Sequence, residues 1–352
     1  MLVRRRLDGE VGRPVMGGVM VDAIRTTPAV AGSRITGIGT YRPGRVVRNA
    51  DLVDLIDSSD EWIRRRCGIT ARRVGAPDET VVNMAVAASL KALAGAGVAP
   101  DAVDTVLLAT ISHLQQCPPA APEIAHLMGA RSAGAIDLGA ACAGFCHGLA
   151  LADSLIRSGA SRCVVVVGSE KMSDLVDPRD RGTAFLFGDG AGAVVVGPAA
   201  SPGIGPVVWG ADGGRKEAIA HSASWLDLRE GGTPWPTLRM DGPSVYRWAI
   251  QTVPQIARQA LRAASIDLSQ LAAFIPHQAN LRIIEASAAA LGLPPHVVVA
   301  RDVTEAGNTS AASIPLAMER LLIQGDADSG DLALLVGFGA GLAHAAMVVS
   351  LP

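Results

Sequence analysis

The sequence predicts an α/β protein assembled from two copies of one βα unit set. Short β-branched runs alternate with apolar helical stretches along nearly the whole chain, the pattern of mostly parallel sheets covered by helices. Two distant segments also match. IDLGAACAGFCHGLALADSLIRSG runs into RCVVVVG, and about 165 residues later RDVTEAGNTSAASIPLAMERLLIQG runs into LALLVGFG. Each is an acidic residue, a small-residue loop, a helix opening on small residues, a glycine stop and an apolar strand. The 352 residues are 49% hydrophobic but only 3% aromatic, with 39 Gly, so Ala, Val and Leu must fill the core and elements must approach closely. Two half-domains with a site at their junction are expected, with two independent α/β domains in series as the alternative.

The elements follow in order. Residues 1–32 are expected to be an appended, mobile arm, residues 33–210 the first half and residues 211–352 the second. ITGIGTYRP is a strand entering a turn, Ala50–Arg66 a helix, Val81–Ala96 an Ala-rich helix, Val103–Ser112 a buried strand and Ala120–Met128 a helix. Gly134–Leu138 is a strand. Ala143–Ser158 is a helix stopped by Gly159, and Arg162–Gly168 is a strand buried on both faces. Thr183–Gly197 is expected to be a strand pair around Gly188-Asp189-Gly190. The second half repeats the plan, with helices Ser244–Ala264, Leu281–Leu291 and Ser310–Ile323 and strands Ala272–Pro276, Val297–Ala300, Ala333–Gly337 and Ala343–Ser350.

The formal charge of -2 gives no reason to expect nucleic acid or an anionic membrane as partner. Five scattered cysteines, Cys67, Cys117, Cys142, Cys146 and Cys163, form no CxxC pair, so neither a zinc site nor a disulfide framework is indicated, and a reducing cytoplasm fits. The N-terminus has no apolar run behind its basic residues and does not read as a signal peptide. The uncharged stretches Gly190–Ala211 and Leu332–Pro352 are broken by glycine or proline and read as buried strands, not membrane spans.

Three residues could carry chemistry together. Cys142 stands at a strand-to-helix junction among small residues, where the helix dipole favours thiolate and the adjacent N–H could meet an oxyanion. A buried inert thiol is the rival reading, and Cys146 is read that way. His277, in Pro276-His277-Gln278-Ala279-Asn280, follows a buried strand, where α/β sites form, unless it merely caps the next helix. Asn280 has a rival reading as that helix's N-cap. Asn308, in EAGNTSAAS, falls within a residue of Cys142 in the repeat alignment and is either a cap or an amide donor for a thioester. Gly337–Gly341 is a glycine-rich turn between strands, a tight hairpin needing positive φ or a backbone wall for an oxyanion. Gly188-Asp189-Gly190-Ala191-Gly192 lacks the spacing of a dinucleotide fingerprint.

At these residues the chain resembles the ketoacyl synthase III family of the thiolase-like superfamily, from about Arg34 to the C-terminus. The motifs are Asp60-Glu61-Trp62-Ile63, AACAGF around Cys142, Asp180-Arg181-Gly182, FGDGAGA, HQANLRII, GNTSAAS and GFGAG. GFCHGLA and Lys171-Met172-Ser173-Asp174 add a likeness to the priming ketosynthases of type II aromatic polyketide pathways. The resemblance implies a thiolase-like five-layer αβαβα fold, a homodimer and a Cys142, His277, Asn308 triad, with no cofactor and no metal. Cys142 would take an acyl group from acyl-CoA, with the N–H groups of Cys142 and Ala340 as oxyanion hole. His277 and Asn308 would stabilise the enolate formed when malonyl-acyl carrier protein loses carbon dioxide, and Phe338 would shield that pocket. Trp62, Arg66, Asn280, Arg282 and Arg247 would hold CoA or phosphopantetheine.

The chain also departs from the family pattern. Asp174 stands where the bacterial fatty-acid enzymes carry an Arg for CoA, and Ala343-His344 replaces a hydroxyl-plus-aromatic pair. Cys117 stands where some members place a Phe that caps the acyl pocket, implying a pocket longer than acetyl needs. The rivals are a same-fold acyltransferase using an alcohol or amine acceptor, a degradative thiolase (excluded by the lack of a Cys after Cys163), a chalcone synthase type and a silent carrier-binding subunit.

Overall fold

The structure, a computed structural model, describes residues 27–352. The expected arm falls mostly in residues 1–26, outside the described residues. Residues 27–31 run along the end of a helix, where the Val30 N–H donates to the Arg157 carbonyl at 3.0 Å.

Two five-stranded sheets organise the chain. In the first half, strands β1 (Gly32–Tyr41), β2 (Thr105–Ala109), β3 (Gly134–Leu138), β4 (Val164–Glu170) and β5 (Gly190–Ala199) accompany helices α1 (Val81–Ala96), α2 (Ala120–Leu127) and α3 (Gly144–Arg157). In the second, β6 (Val208–Ala211), β7 (Ala273–Pro276), β8 (Val298–Val299), β9 (Leu332–Gly339) and β10 (Ala343–Ser350) accompany α4 (Gly242–Ala264), α5 (Leu281–Leu291) and α6 (Ser313–Gln324). The first sheet runs β3-β2-β4-β5-β1 and the second β8-β7-β9-β10-β6, the same order. In both, the first three strands are parallel and the last two antiparallel additions. β6 starts before residue 211, so the crossing to the second sheet precedes the boundary expected from sequence.

Helices α3 and α6 lie between the sheets in one core with Phe145, Leu149, Val166, Ile314, Met318 and Leu335. Helices α1 and α2 cover the outer face of the first sheet, and α4 and α5 the outer face of the second. The result is the five layers the resemblance implies. Small side chains permit the tight spacing: a Cβ on Gly39 would stand 2.4 Å from the Ala92 N of α1.

Local chemistry sets the ends. Thr80 accepts the Asn83 N–H at the start of α1, and Gly97 closes it at φ 65°. The expected helix over Ala50–Arg66 is instead a short 3₁₀ turn (Asn49–Asp51) followed by irregular turns and a helix over Asp60–Cys67. Asp57 at φ 46° interrupts it, and Ser59 caps the second piece by accepting the Trp62 N–H. The expected strand pair around Gly188-Asp189-Gly190 is also corrected. Residues 183–186 form a turn, Phe187 makes only an isolated bridge to Asn308, and β5 is the one strand of the stretch, because the Asp189 carboxylate ties three donors from other loops, Gly75 N, Ser173 N and Ser173 Oγ, at 2.6–2.9 Å.

The halves meet where Gly168 of β4 abuts the 3₁₀ turn Ser310–Ala312, leaving 2.3 Å between an added Cβ and the Ala311 carbonyl oxygen. Gly168→Ala is expected to cost about 1–3 kcal/mol by overpacking. Gly95→Ala, at an exposed helical position with its nearest neighbour at 3.6 Å, is expected to gain about 0.5–1 kcal/mol. Thermal unfolding of the two variants should therefore move in opposite directions.

Candidate active site

Cys142 lies in the 3₁₀ turn Ala141–Ala143 that opens α3, directly after Ala141 at φ 45°. Its counterpart turn, Ser310–Ala312, opens α6 after the same distortion, Ser310 at φ 48°. These residues differ by 169 in number, so the structural partner of Cys142 is Ala311. The expectation that Asn308 aligns within a residue of Cys142 is corrected: Asn308 stands three residues earlier, before the distorted residue and not after it. The short helix Val303–Ala306, without counterpart in the first half, blurred that register.

The turn at Ser310 nevertheless gathers the chemistry. The Ser310 N–H donates to Asn308 Oδ1 at 2.9 Å, leaving the Asn308 amide nitrogen free to donate. The Asn308 backbone is clamped between Leu186 O and Gly188 N. Ser313 Oγ lies 2.7 Å from His277 Nδ1 and accepts the Gln278 N–H, so the ring is held by a hydrogen bond at Nδ1. The His277 ring meets Phe338 edge to face at 5.2 Å. One residue on, Gly339 leaves only 2.7 Å between an added Cβ and Cys142 Cβ. Glycine is needed there for close approach, not for φ, and within Gly337–Gly341 only Gly341 has a left-handed φ.

Burial dominates the electrostatics. The Cys142 thiol is pushed up to about 12, chiefly by burial and further by the Glu170 carboxylate. The Ser310 hydroxyl and the N–H groups of Cys142 and Ala340 pull the other way. Burial thus opposes the thiolate that the helix dipole favours. Burial also pushes His277 down to about 3, so it rests neutral.

A cleft of about 260 Å³ leads to this turn, lined by Arg66, Arg247, Asn280, Arg282, Tyr246 and Asn308 among others. Asn280 does cap α5, accepting the Arg282 N–H at 2.9 Å, and its amide faces Arg66 O. Trp62 stands beside the cleft with its ring against Phe185 and the guanidinium groups of Arg66 and Arg181 at 6.0 and 5.0 Å. Arg282 stacks on Tyr246 at 5.0 Å. Cys117 is exposed on the loop after β2 and lines nothing in its own chain's cleft. A second cleft, about 390 Å³, lies around Pro202 and Val348 and is lined by no cysteine or histidine. Among the described residues no group of three or more metal-ligating side chains occurs, and no helix is long and apolar enough to cross a membrane.

Sequence reasoning did not find Glu170, Ser310, Ser313 and Arg181 as parts of the site. A carboxylate closing the run RCVVVVGSE was the available signal for the first.

Comparison with known proteins decides the family. Residues 136–213 match the 3-oxoacyl-[acyl-carrier-protein] synthase III model, and residues 261–351 match its C-terminal model. The β-ketoacyl-[acyl-carrier-protein] synthase III 1 of Streptomyces coelicolor is 52% identical over 331 residues, covering 91% of this chain and 96% of the relative. The chain belongs to the ketoacyl synthase III family. Members are acyl-transferring condensing enzymes, and this chain is one. The priming β-ketosynthase of the R1128 polyketide pathway superposes with a TM-score of 0.91 at 48% identity, covering 96% of this chain and 99% of that one. The synthase III of Aquifex aeolicus does so at 0.84 and 36%, covering 91% and 100%.

The His277 environment makes a testable statement about stability. Its folded-state pKa lies below its unfolded value, so its contribution is complete above pH 6.5 and is lost as pH falls from 6.5 toward about 3, where only the unfolded chain binds the proton. His277→Gln should flatten the acid limb of the stability curve by up to about 1.4 kcal/mol per pH unit. Parallel limbs in urea titrations of the two proteins would contradict it.

Proposed function

We propose that the chain joins an acyl group from acyl-CoA to a malonyl unit carried by acyl carrier protein, with Cys142 as nucleophile and His277 and Asn308 as the decarboxylation pair. The observation that carries this reading is the convergence on one place: the Ser310 N–H orients Asn308, Ser313 holds His277, and Gly339 presses on Cys142. The N–H groups of Cys142 and Ala340 would bind the tetrahedral oxyanion of acyl transfer. His277 Nε2–H and the Asn308 amide would donate to the malonyl thioester oxygen as it becomes an enolate, and Phe338 would keep water away. A neutral histidine suits that role, since it donates without first taking a proton.

The arginines of the cleft, Arg66, Arg247 and Arg282, suit phosphopantetheine, CoA and an acidic carrier, with Trp62 and Asn280 along the path. None of these steps needs a cofactor. A homodimer in the cytoplasm completes the reading. β3 is an open sheet edge carrying Ile136 at 52% exposure, suited to pairing with a second copy. Exposed Cys117 would then reach the partner's acyl pocket, where its small size leaves room for a starter longer than acetyl. A place in polyketide priming is supported by the similarity to the R1128 enzyme over 96% of the chain.

Incubation with acetyl- to octanoyl-CoA, straight and branched, followed by intact mass, should show one acyl adduct that Cys142→Ala abolishes. Hexanoyl should react faster than acetyl. His277→Ala and Asn308→Ala should still acylate but lose discharge by malonyl-carrier protein by on the order of 10²-fold or more. Acylation that malonyl-carrier protein never discharges would instead support transfer to an alcohol or amine. No adduct at all would overturn the nucleophile.

A further inference from the structure

His277 and Asn308 must present their donors to one oxygen, yet they come from different loops, and each loop has its own anchors. Asn308 ends a stretch that starts with the short helix Val303–Ala306 and turns at Gly307, φ 70°. That stretch is fastened to the first half. Thr70 donates to the Thr304 carbonyl through both its N–H and its hydroxyl, each at 2.7 Å, and Leu186 and Gly188 clamp Asn308. His277 instead continues β7 of the second sheet, where its N–H donates to the Val336 carbonyl at 2.8 Å.

Gln278, the residue after His277, spans the two. It is buried and does not line the cleft. Its amide has two partners of opposite kind: Nε2 donates to the Pro276 carbonyl at 2.7 Å, and Oε1 accepts the Val303 N–H at 3.2 Å. The amide fits only this way round, because the reverse would set carbonyl against carbonyl and N–H against N–H. The Gln278 backbone N–H donates to Ser313 Oγ at 3.2 Å, the same hydroxyl that holds His277 Nδ1. Val303 and Ser313 lie on either side of Asn308, five residues away in each direction. Gln278 is therefore bonded to both ends of the stretch that carries Asn308.

Resting on the assignment of His277 and Asn308 as the decarboxylation pair, we infer that Gln278 is a positioning residue for decarboxylation. Its side chain sets the spacing between the His277 loop and the Asn308 stretch, so that imidazole and amide meet the same thioester oxygen. Gln278 acts through the His277 loop at one end of its amide and through the Val303 helix at the other. The Ser313 hydroxyl holds the ring; the Gln278 amide holds the distance. Acylation of Cys142 uses neither donor, so the strap matters in one half-reaction only. Misplacing a reacting group by about 1 Å costs on the order of 10²-fold in rate, and two donors aimed at one oxygen are both open to that error.

The test follows two single turnovers by rapid quench and intact mass: acylation by acyl-CoA, and discharge of the acyl-enzyme by malonyl-carrier protein. Gln278→Met keeps the length of the side chain and removes both bonds of the amide. It should slow discharge on the order of 10-fold or more and leave acylation within about threefold of the unmodified enzyme. Gln278→Glu makes the strap switchable. Its protonated carboxyl repeats the donor and acceptor of the amide, and its ionised form sets a bare oxygen against the Pro276 carbonyl. Its discharge rate relative to the unmodified enzyme should therefore climb as pH is lowered from about 8 to about 5.5, the range into which burial raises a glutamic acid. Should Gln278→Met fail to fold, that profile decides alone. Equal losses in both half-reactions, discharge by Gln278→Met at the unmodified rate, or a flat relative profile in Gln278→Glu would each overturn the inference. Failure of the underlying assignment would look different, with His277→Ala and Asn308→Ala discharging as fast as the unmodified enzyme.

Discussion

The site depends on one steric constraint: two strand ends and two helix-opening turns are pressed together with almost no side chain between them. Gly168 meets the carbonyl of Ala311, Gly337 stands 3.0 Å from the Cα of Ala143, and Gly339 presses on Cys142, each measured to an added Cβ. Such spacing is possible only where the contact residues are Gly or Ala. It explains why a chain with 39 Gly and little aromatic content can still bury a dense core. It also holds the reacting groups on rigid elements, since each turn is fixed from both sides.

Tight packing sets the electrostatics. Burial pushes the Cys142 thiol up and the buried His277 ring down, so both neutral forms are favoured despite the helix N-terminus beneath the cysteine. Arg72 shows the same bargain struck for structure. It is buried, pushed down to about 10 by burial, and spends its guanidinium on the carbonyls of Val47 and Phe185 and on Asn49 Oδ1. Those bonds anchor the segment against which Asn308 is clamped.

Much of this was legible in the sequence because it is local. The repeat, the β-branched runs, the glycine stops and the motifs around Cys142, His277 and Asn308 are written in contiguous residues. What was not legible depends on distance along the chain. The true register of the two halves is set by the distorted residues Ala141 and Ser310, and positive φ in a serine or alanine leaves no mark in composition. The helix Val303–Ala306 hid the offset. Ser313 reads as one more small residue of a helix start until His277 is laid against it, and Glu170 as the end of a strand until Ser310, 140 residues later, reaches it. The expected strand pair at Gly188 failed for the same reason, since three donors from distant loops captured Asp189.

With the register known, the division of labour between the halves becomes plain. Cys142 is matched by Ala311, Ser310 by Ala141, and Glu170 by Gly339. His277 follows the strand residue Pro276 that pairs with Val336, as Ala109 follows Leu108, which pairs with Val167, so Ala109 is its counterpart. The contacts agree: Ala109 rests on Gly144, where His277 rests on Ser313. Each reactive side chain thus has an alanine or glycine at the equivalent place. The first half supplies the sulfur and the carboxylate, and the second the imidazole, the amide and the hydroxyl. Two complete sites on this scaffold would need bulky groups on both sides of a contact that tolerates only 2–3 Å to an added Cβ. Close approach of the halves therefore requires that the chemistry be divided between them, with one site for the pair.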